Sequence, residues 1–173
     1  MLKRCFDFWL ALFGLFVSLP LWLIIFFLLY LEEGGAIFFL QERLGLNGKI
    51  FKVIKFRTIN PKTGKISKFG IFLRKTALDE LPQLINILKS EMSFVGPRPL
   101  IIDELELDSE YLRQRLRVKP GLTGLSQLFL SKHASVEEKI KYDLRYIHNY
   151  RLLLDIVLIL KSVVITLRRR WDI

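Results

Sequence analysis

The sequence predicts a mixed α/β (α+β) protein in which an apolar membrane segment precedes a compact, mainly helical unit. Three observations predict it. From Phe6 to Leu31 there are 26 residues with one charge, Asp7. Two β-prone runs, Ala36 to Leu44 and Ile50 to Thr58, flank Gly45-Leu46-Asn47-Gly48, and Asn-Gly between such runs is a strong hairpin signal. Downstream, Leu78, Leu81, Leu84, Ile85 and Leu88 recur at helical spacing. The expected division is residues 1–33 for the membrane segment and 34–173 for the folded unit.

Composition bounds the function. Of 173 residues, 51% are hydrophobic, yet 27 Lys and Arg against 17 Asp and Glu leave a net charge of +10. Disorder is excluded by the apolar content. The single Cys5 excludes an internal disulfide framework and a cysteine-rich zinc site, and two histidines argue against a His-based metal site. A greasy, basic chain suits an anionic membrane surface, anionic substrates or nucleic acid.

The first segment, as one helix of roughly 39 Å at about 1.5 Å per residue, is long enough to cross a bilayer core of about 30 Å. Glu32-Glu33 follow it directly, with no cleavage site, so it reads as retained. Lys3 and Arg4 precede it, and 25 of the 27 basic residues follow it. A spanning helix would put one basic flank on the wrong side of the membrane. Pro20 removes a backbone donor mid-segment, and the nearby Ser18 hydroxyl can satisfy a freed carbonyl. The predicted structure is therefore a re-entrant helix-break-helix with both flanks cytoplasmic. A kinked spanning helix is the alternative.

Asp79 to about Lys89 should form one helix, with Pro82 in its first turn and the two acids at its start. Gly96-Pro97-Arg98-Pro99 is a rigid turn, Asp103 to Arg117 a solvated helix, and Lys119 to Gly124 a turn-rich loop. Ser135 with Glu138 three residues on is a capping box for a helix over Val136 to Tyr150. From Arg151 to Leu167 the chain is apolar with a polar stripe that includes Asp155, Ser162 and Thr166. Arg168 to Trp171 follows, so an amphipathic interfacial helix is expected there, with a core helix as the alternative.

The chemistry concentrates at Asp79-Glu80. Acids favour a helix start for the dipole alone, but here Arg74 and Lys75 lie just upstream, Lys55 and Arg57 close a strand, and Arg98 sits in the Pro97–Pro99 turn. Cations keep a carboxylate ionised and attract phosphate. An ionised Asp beside phosphate can attack phosphorus to give an aspartyl-phosphate ester. Mg²⁺ needs only one or two carboxylates plus substrate phosphates, so Asp79 and Glu80 are its candidate ligands.

Five runs then converge: Lys55-Phe56-Arg57-Thr58, Phe72 to Thr76, Leu78-Asp79-Glu80-Leu81-Pro82-Gln83-Leu84, Met92 to Pro99, and Lys119-Pro120-Gly121-Leu122-Thr123-Gly124. With Glu138, Asp143, Tyr146, Asn149 and Asp155 after them, the chain resembles the bacterial sugar transferases, specifically the small monotopic phosphoglycosyl transferases. The resemblance covers about Lys3 to Thr166. It implies transfer of a phosphosugar from a UDP-sugar to undecaprenyl phosphate, releasing UMP with Mg²⁺, in the first membrane step of glycoconjugate assembly. It implies a place in the bacterial inner membrane with the site on the cytoplasmic face. Asp79 would be the nucleophile and Glu80 its partner, with Lys55, Arg74 and the Pro97-Arg98-Pro99 turn around the diphosphate. It also implies a re-entrant helix broken near Ser18 and Pro20, and the minimal form without extra spanning helices.

Three departures stand out. The loop from Thr58 to Phe69 is short. The family's Gly-Asp before Met-Ser reads Ser90-Glu91. After Gln127, the family's Asn-Gly-Arg-Asn is replaced, and only Lys132 can stand in for its phosphate-meeting arginine. A catalytically impaired relative therefore stays open, as does a membrane-anchored basic binding protein, which leaves the five runs without a role. The expected partners are a UDP-sugar, undecaprenyl phosphate and membrane lipid, with no nucleic acid and a homodimer allowed.

Overall fold

The computed structural model of the chain describes residues 2–33, 37–61, 63–100, 110–131 and 133–168. Lys132 and the Arg169 to Trp171 run lie outside these, as do residues 103–109 of the expected Asp103–Arg117 helix. The chain is mixed α and β, in the order α1 (Leu2–Glu33), β1 (Phe38–Leu44), β2 (Ile50–Phe56), α2 (Lys68–Lys75), α3 (Gln83–Leu88), β3 (Ser93–Val95), α4 (Glu110–Arg115), β4 (Gly121–Thr123), α5 (Leu125–Phe129), α6 (Val136–His148) and α7 (Leu152–Leu167).

The hairpin forms where expected. β1 and β2 pair antiparallel in the register Phe38↔Phe56 through Leu44↔Ile50, with Asn47 and Gly48 at φ 55° and 75°, the left-handed conformation these two residue types tolerate best. The Lys119–Gly124 segment departs from expectation. It is not only a loop: β4 pairs parallel with β3, a three-residue ladder too short to leave a periodic signal.

α1 also departs from expectation. It is one continuous helix through Pro20, with no break. The Ser18 hydroxyl donates to Gly14 O at 2.6 Å and accepts from Trp22 Nε1 at 3.1 Å, tying together the turns on either side of the proline. The carbonyl that Pro20 deprives is four residues back at Phe16, so Ser18 braces the helix rather than repairing that bond. Both halves of α1 are packed. Ala11 joins a core with Phe51, Val53, Leu84, Ile87 and Met92, and Ile25 and Leu29 join one with Ile37, Phe56 and Leu73.

Charged residues of α1 reach into the folded unit. Lys3 Nζ lies 2.5 Å from Asp155 Oδ2, Arg4 donates to Ile87 O and Leu88 O at 2.7 and 2.6 Å, and Asp7 Oδ1 accepts from Phe94 N at 3.2 Å. On α7 the polar stripe is consequently turned inward at Asp155. Asp155 is buried against Lys3 and the Tyr146 hydroxyl, while Leu153, Val157, Leu160 and Leu167 are exposed. The buried ion pair and hydrogen bond decide the rotation of this helix, because an unpaired buried carboxylate costs several kcal/mol, roughly. Cys5 is exposed, as are both histidines.

The Ser90-Glu91 departure has a geometric cost. Ser90 sits at φ 71°, where glycine is free of the roughly 1–2 kcal/mol left-handed penalty. The Lys119 ammonium contacts the Ser90 hydroxyl. Glu91 Oε2 accepts from the amide of buried Asn86 at 2.7 Å, and Asn86 in turn bonds Lys52 O and Ile54 N of β2. We expect Ser90→Gly to raise the Tm of the detergent-solubilised protein by about 1–3 °C, after the entropy cost of glycine. Ser90→Val should lower it, since a β-branched residue is least tolerant of positive φ. Equal melting of the two variants would contradict this account of position 90.

Candidate active site

The expected single helix over Asp79–Lys89 is instead a 3₁₀ turn, Leu78–Glu80, followed by α3 with Pro82 as its N-cap. The separation follows from Ala77, which adopts φ 54° and so reverses the chain immediately before the two acids. A non-glycine residue in this region costs about 1–3 kcal/mol and persists only where its surroundings hold it. Asp79 and Glu80 thus sit on a strained turn, half-buried, one turn ahead of α3.

The expected cations surround them. Lys55 Nζ donates to Glu80 Oε1 at 2.6 Å. Arg74 Nε donates to the Thr58 hydroxyl at 2.9 Å, which leaves its remaining N–H groups for other acceptors. Burial raises the Asp79 carboxyl from its usual range to about 6, with Glu80 adding to the rise while Lys55 and Arg74 oppose it. Arg57 donates to Phe38 O at 3.2 Å, and its Nε is buried with no partner among the described residues.

Glu80 and Lys55 line an open cleft together with Gln83, Arg43, Arg98 and Gln127. Arg98 is exposed and its backbone is held by Arg115, which contacts Arg98 O. Arg43 donates to Pro99 O at 3.1 Å. The turn is locked onto β4: Gly121 N donates to Pro97 O at 2.9 Å and Gly96 N to Thr123 O at 3.0 Å. These backbones touch so closely that a Cβ on Gly121 would overlap Gly96 N. That approach explains why the Gly96-Pro97-Arg98-Pro99 and Pro120-Gly121 runs behave as one unit.

Lys55, Glu80, Arg98 and Pro99 therefore line one cleft, Asp79 lies under the influence of Glu80, Lys55 and Arg74, and Pro97 lines a neighbouring recess with Arg98. Sequence reasoning missed the cleft roles of Arg43, Gln83 and Gln127. Arg43 read only as part of a basic flank, and a pocket assembled from several segments has no local signature. Among the described residues, no group of three or more His, Cys, Asp or Glu could hold a metal ion by itself. Asp79 and Glu80 supply two carboxylates, a set that fits Mg²⁺ only together with substrate phosphate oxygens.

Residues 1–169 match the bacterial sugar transferase family. The chain belongs to that family. Among its relatives, the exopolysaccharide production protein ExoY of Sinorhizobium fredii is 37% identical over 188 residues, covering 93% of this chain and 83% of the relative. The uncharacterized sugar transferase EpsL of Bacillus subtilis is 39% identical over 178 residues, covering 97% and 86%. An undecaprenyl-phosphate galactose phosphotransferase of Salmonella typhimurium is 32% identical over 195 residues, covering 97% of this chain but 41% of its own length.

The electrostatics of this bacterial sugar transferase make a direct prediction. Carbon-detected NMR of the labelled Asp79 carboxyl should give a midpoint near 6. Glu80→Gln removes a neighbouring negative charge and should move the midpoint down. Lys55→Met removes a cation and should move it up. Shifts of the opposite sign would contradict the arrangement.

Proposed function

We propose that this protein transfers a sugar phosphate from a UDP-sugar to undecaprenyl phosphate through a phosphosugar ester on Asp79. The observation that carries the reading is Asp79 itself, a carboxylate on a strained turn acted on by Arg74, Lys55 and Glu80, the last two lining a cleft with Arg43 and Arg98. A relative of this chain is named an undecaprenyl-phosphate galactose phosphotransferase, and another a UDP-N-acetylgalactosamine-undecaprenyl-phosphate N-acetylgalactosaminephosphotransferase.

The chemistry runs in two displacements. An ionised Asp79 oxygen attacks the phosphorus that bears the sugar, the bond from that phosphorus to the UMP oxygen breaks, and UMP leaves with the electron pair. A phosphate oxygen of undecaprenyl phosphate then attacks the same phosphorus. The aspartyl oxygen departs, which restores Asp79 and yields undecaprenyl diphosphosugar. Each displacement is in line, so the acceptor phosphate enters from the side that UMP has left. A carboxyl titrating near 6 is mostly ionised at neutral pH and remains a competent nucleophile.

Lys55 holds Glu80 in place and, with Arg74 and Arg98, faces the charge that builds on the phosphoryl oxygens. Arg57 extends the cationic surface towards α1. Asp79 and Glu80, with the diphosphate, would hold Mg²⁺, which when bound supplies neutralisation of phosphate charge. Lys132 is proposed as the cation standing in for the family's arginine after Gln127.

α1 and α7 supply the membrane side of this reading. α1 is long and apolar enough to cross a membrane, yet its two ends touch the same folded unit, at β3 and α7 through Lys3 and Asp7 and at β2 and α2 through Ile25 and Leu29. We therefore place it within the cytoplasmic leaflet of the inner membrane, both ends on one side, with the outward apolar face of α7 beside it.

Incubation with a donor radiolabelled in the sugar-bearing phosphate should label the wild-type protein, and undecaprenyl phosphate should discharge the label. Asp79→Asn should take no label and release no UMP; label retained on that variant would move the nucleophile elsewhere. For topology, Leu2→Cys and Glu33→Cys in a Cys5→Ser background should react alike with an impermeant reagent in inside-out vesicles and stay protected in intact cells. Opposite accessibility of the two positions would mean that α1 spans.

A further inference from the structure

Gln127 on α5 lines the same cleft as Glu80, and neither the family resemblance nor the nucleophile assigns it to a task. Its position is set by backbone packing. α5 begins at Gly124, Gly124 packs against Gly96 of the Pro97–Pro99 turn, and Leu128, one residue on, lies in the core with Val95, Tyr146 and Leu158. The amide itself is poorly engaged. Its Nε2 reaches Leu122 O only at 3.4 Å, and its Oε1 is buried with no hydrogen-bond partner among the described residues.

The charge pattern of the cleft gives this orphan a meaning. Arg43, Lys55 and Arg98 offer only donors, which suit the oxygens of a diphosphate. Glu80 accepts too, but Lys55 takes its Oε1 and the proposed Mg²⁺ would draw on its other oxygen. A nucleoside diphosphate sugar also carries donors of its own, the hydroxyls of its sugars and the imide N–H of its uracil, and these need acceptors. Burying an unpaired acceptor is unfavourable, and a ligand donor that pairs with it recovers that loss only when the ligand is bound.

We propose that Gln127 is a donor-reading residue, whose amide oxygen accepts a hydrogen bond from an O–H or N–H of the nucleoside diphosphate sugar. This rests on the reading of the cleft as the UDP-sugar site. A polar contact of this kind discriminates more sharply than an apolar wall, because an analogue lacking the group leaves the acceptor stranded. Gln127 is thus a residue by which the protein tells one donor from another.

The test is a double-mutant cycle between residue and ligand. Full-length wild type and Gln127→Met, in detergent with undecaprenyl phosphate and Mg²⁺, are assayed for UMP release. The donors are the best UDP-sugar and its analogues, each deoxygenated at one sugar or ribose position, plus one methylated at the uracil imide. On the parent donor, Gln127→Met should lose roughly fivefold to a hundredfold in kcat/KM, the range of one buried hydrogen bond. One analogue should lose a similar factor on wild type and nothing further on Gln127→Met. A general loss of packing would lower every donor alike and leave the analogue penalties unchanged, so the cycle separates reading from folding. UMP inhibition distinguishes the sources. If the contact is to uridine, the variant weakens UMP as an inhibitor; if to the transferred sugar, UMP inhibits both proteins equally. Penalties that multiply for every analogue overturn the inference while leaving the function standing. A wild type that releases UMP from no UDP-sugar overturns the donor assignment, and this inference with it.

Discussion

The docking of the first two turns of α1 is the constraint on which the rest of the structure depends. Lys3, Arg4 and Asp7 are three charged residues at the head of an apolar helix, and between them they engage four elements. Lys3 joins Asp155 of α7, the Tyr146 hydroxyl of α6 and Val95 O of β3. Arg4 caps the last carbonyls of α3, which a helix end otherwise leaves unsatisfied. Asp7 holds the β3 backbone at Phe94. The end of the helix that carries the acids' turn, the strand that leads into the Pro97–Pro99 turn and the two C-terminal helices are thereby referenced to one point. A buried charge without its partner is strongly destabilising, so these contacts specify one arrangement rather than a family of loose ones.

A second network does the same for the soluble side. Asp143 of α6 receives the Ser126 hydroxyl of α5 at 2.8 Å and the Tyr111 hydroxyl of α4 at 3.1 Å, and Arg115 lies 3.4 Å away. Arg115 also holds the backbone of Arg98. The motif residues Asp143, Tyr146 and Asp155 are therefore structural, bonded to Ser126, Tyr111, Val95 and Lys3. Their task is to hold the cationic turn over the cleft. Rigid support of this kind is what positions charge for a phosphoryl group, since catalysis of that class depends on placement more than on covalent help.

What was legible in the sequence was local. Asn47-Gly48 announced the hairpin because only such residues accept two consecutive left-handed conformations. Ser135 and Glu138 announced α6 through a reciprocal cap that the structure retains. The acids and the cations Lys55, Arg74 and Arg98 were legible as a set, because their motifs are short and contiguous. Three things were hidden. The reversal at Ala77, which splits the expected helix, is invisible because alanine favours helices. The β3–β4 pairing links segments far apart in sequence through three residues each. The orientation of α7 is the third, because amphipathicity states which residues share a face, not whether that face meets water, lipid or a buried lysine.

The Lys3–Asp155 pair joins residues 152 positions apart, and this sets an order of assembly during synthesis. Each element that α1 packs against follows it in the chain. Arg4 and Asp7 find their partners on α3 and β3, which are made well before α7. The Lys3 ammonium has no carboxylate partner until Asp155 has been translated. Closure of the pair is therefore a late event, one that registers completion of the C-terminal helices. Until then the head of α1 is docked by two of its three charges, with the third waiting on the last helix.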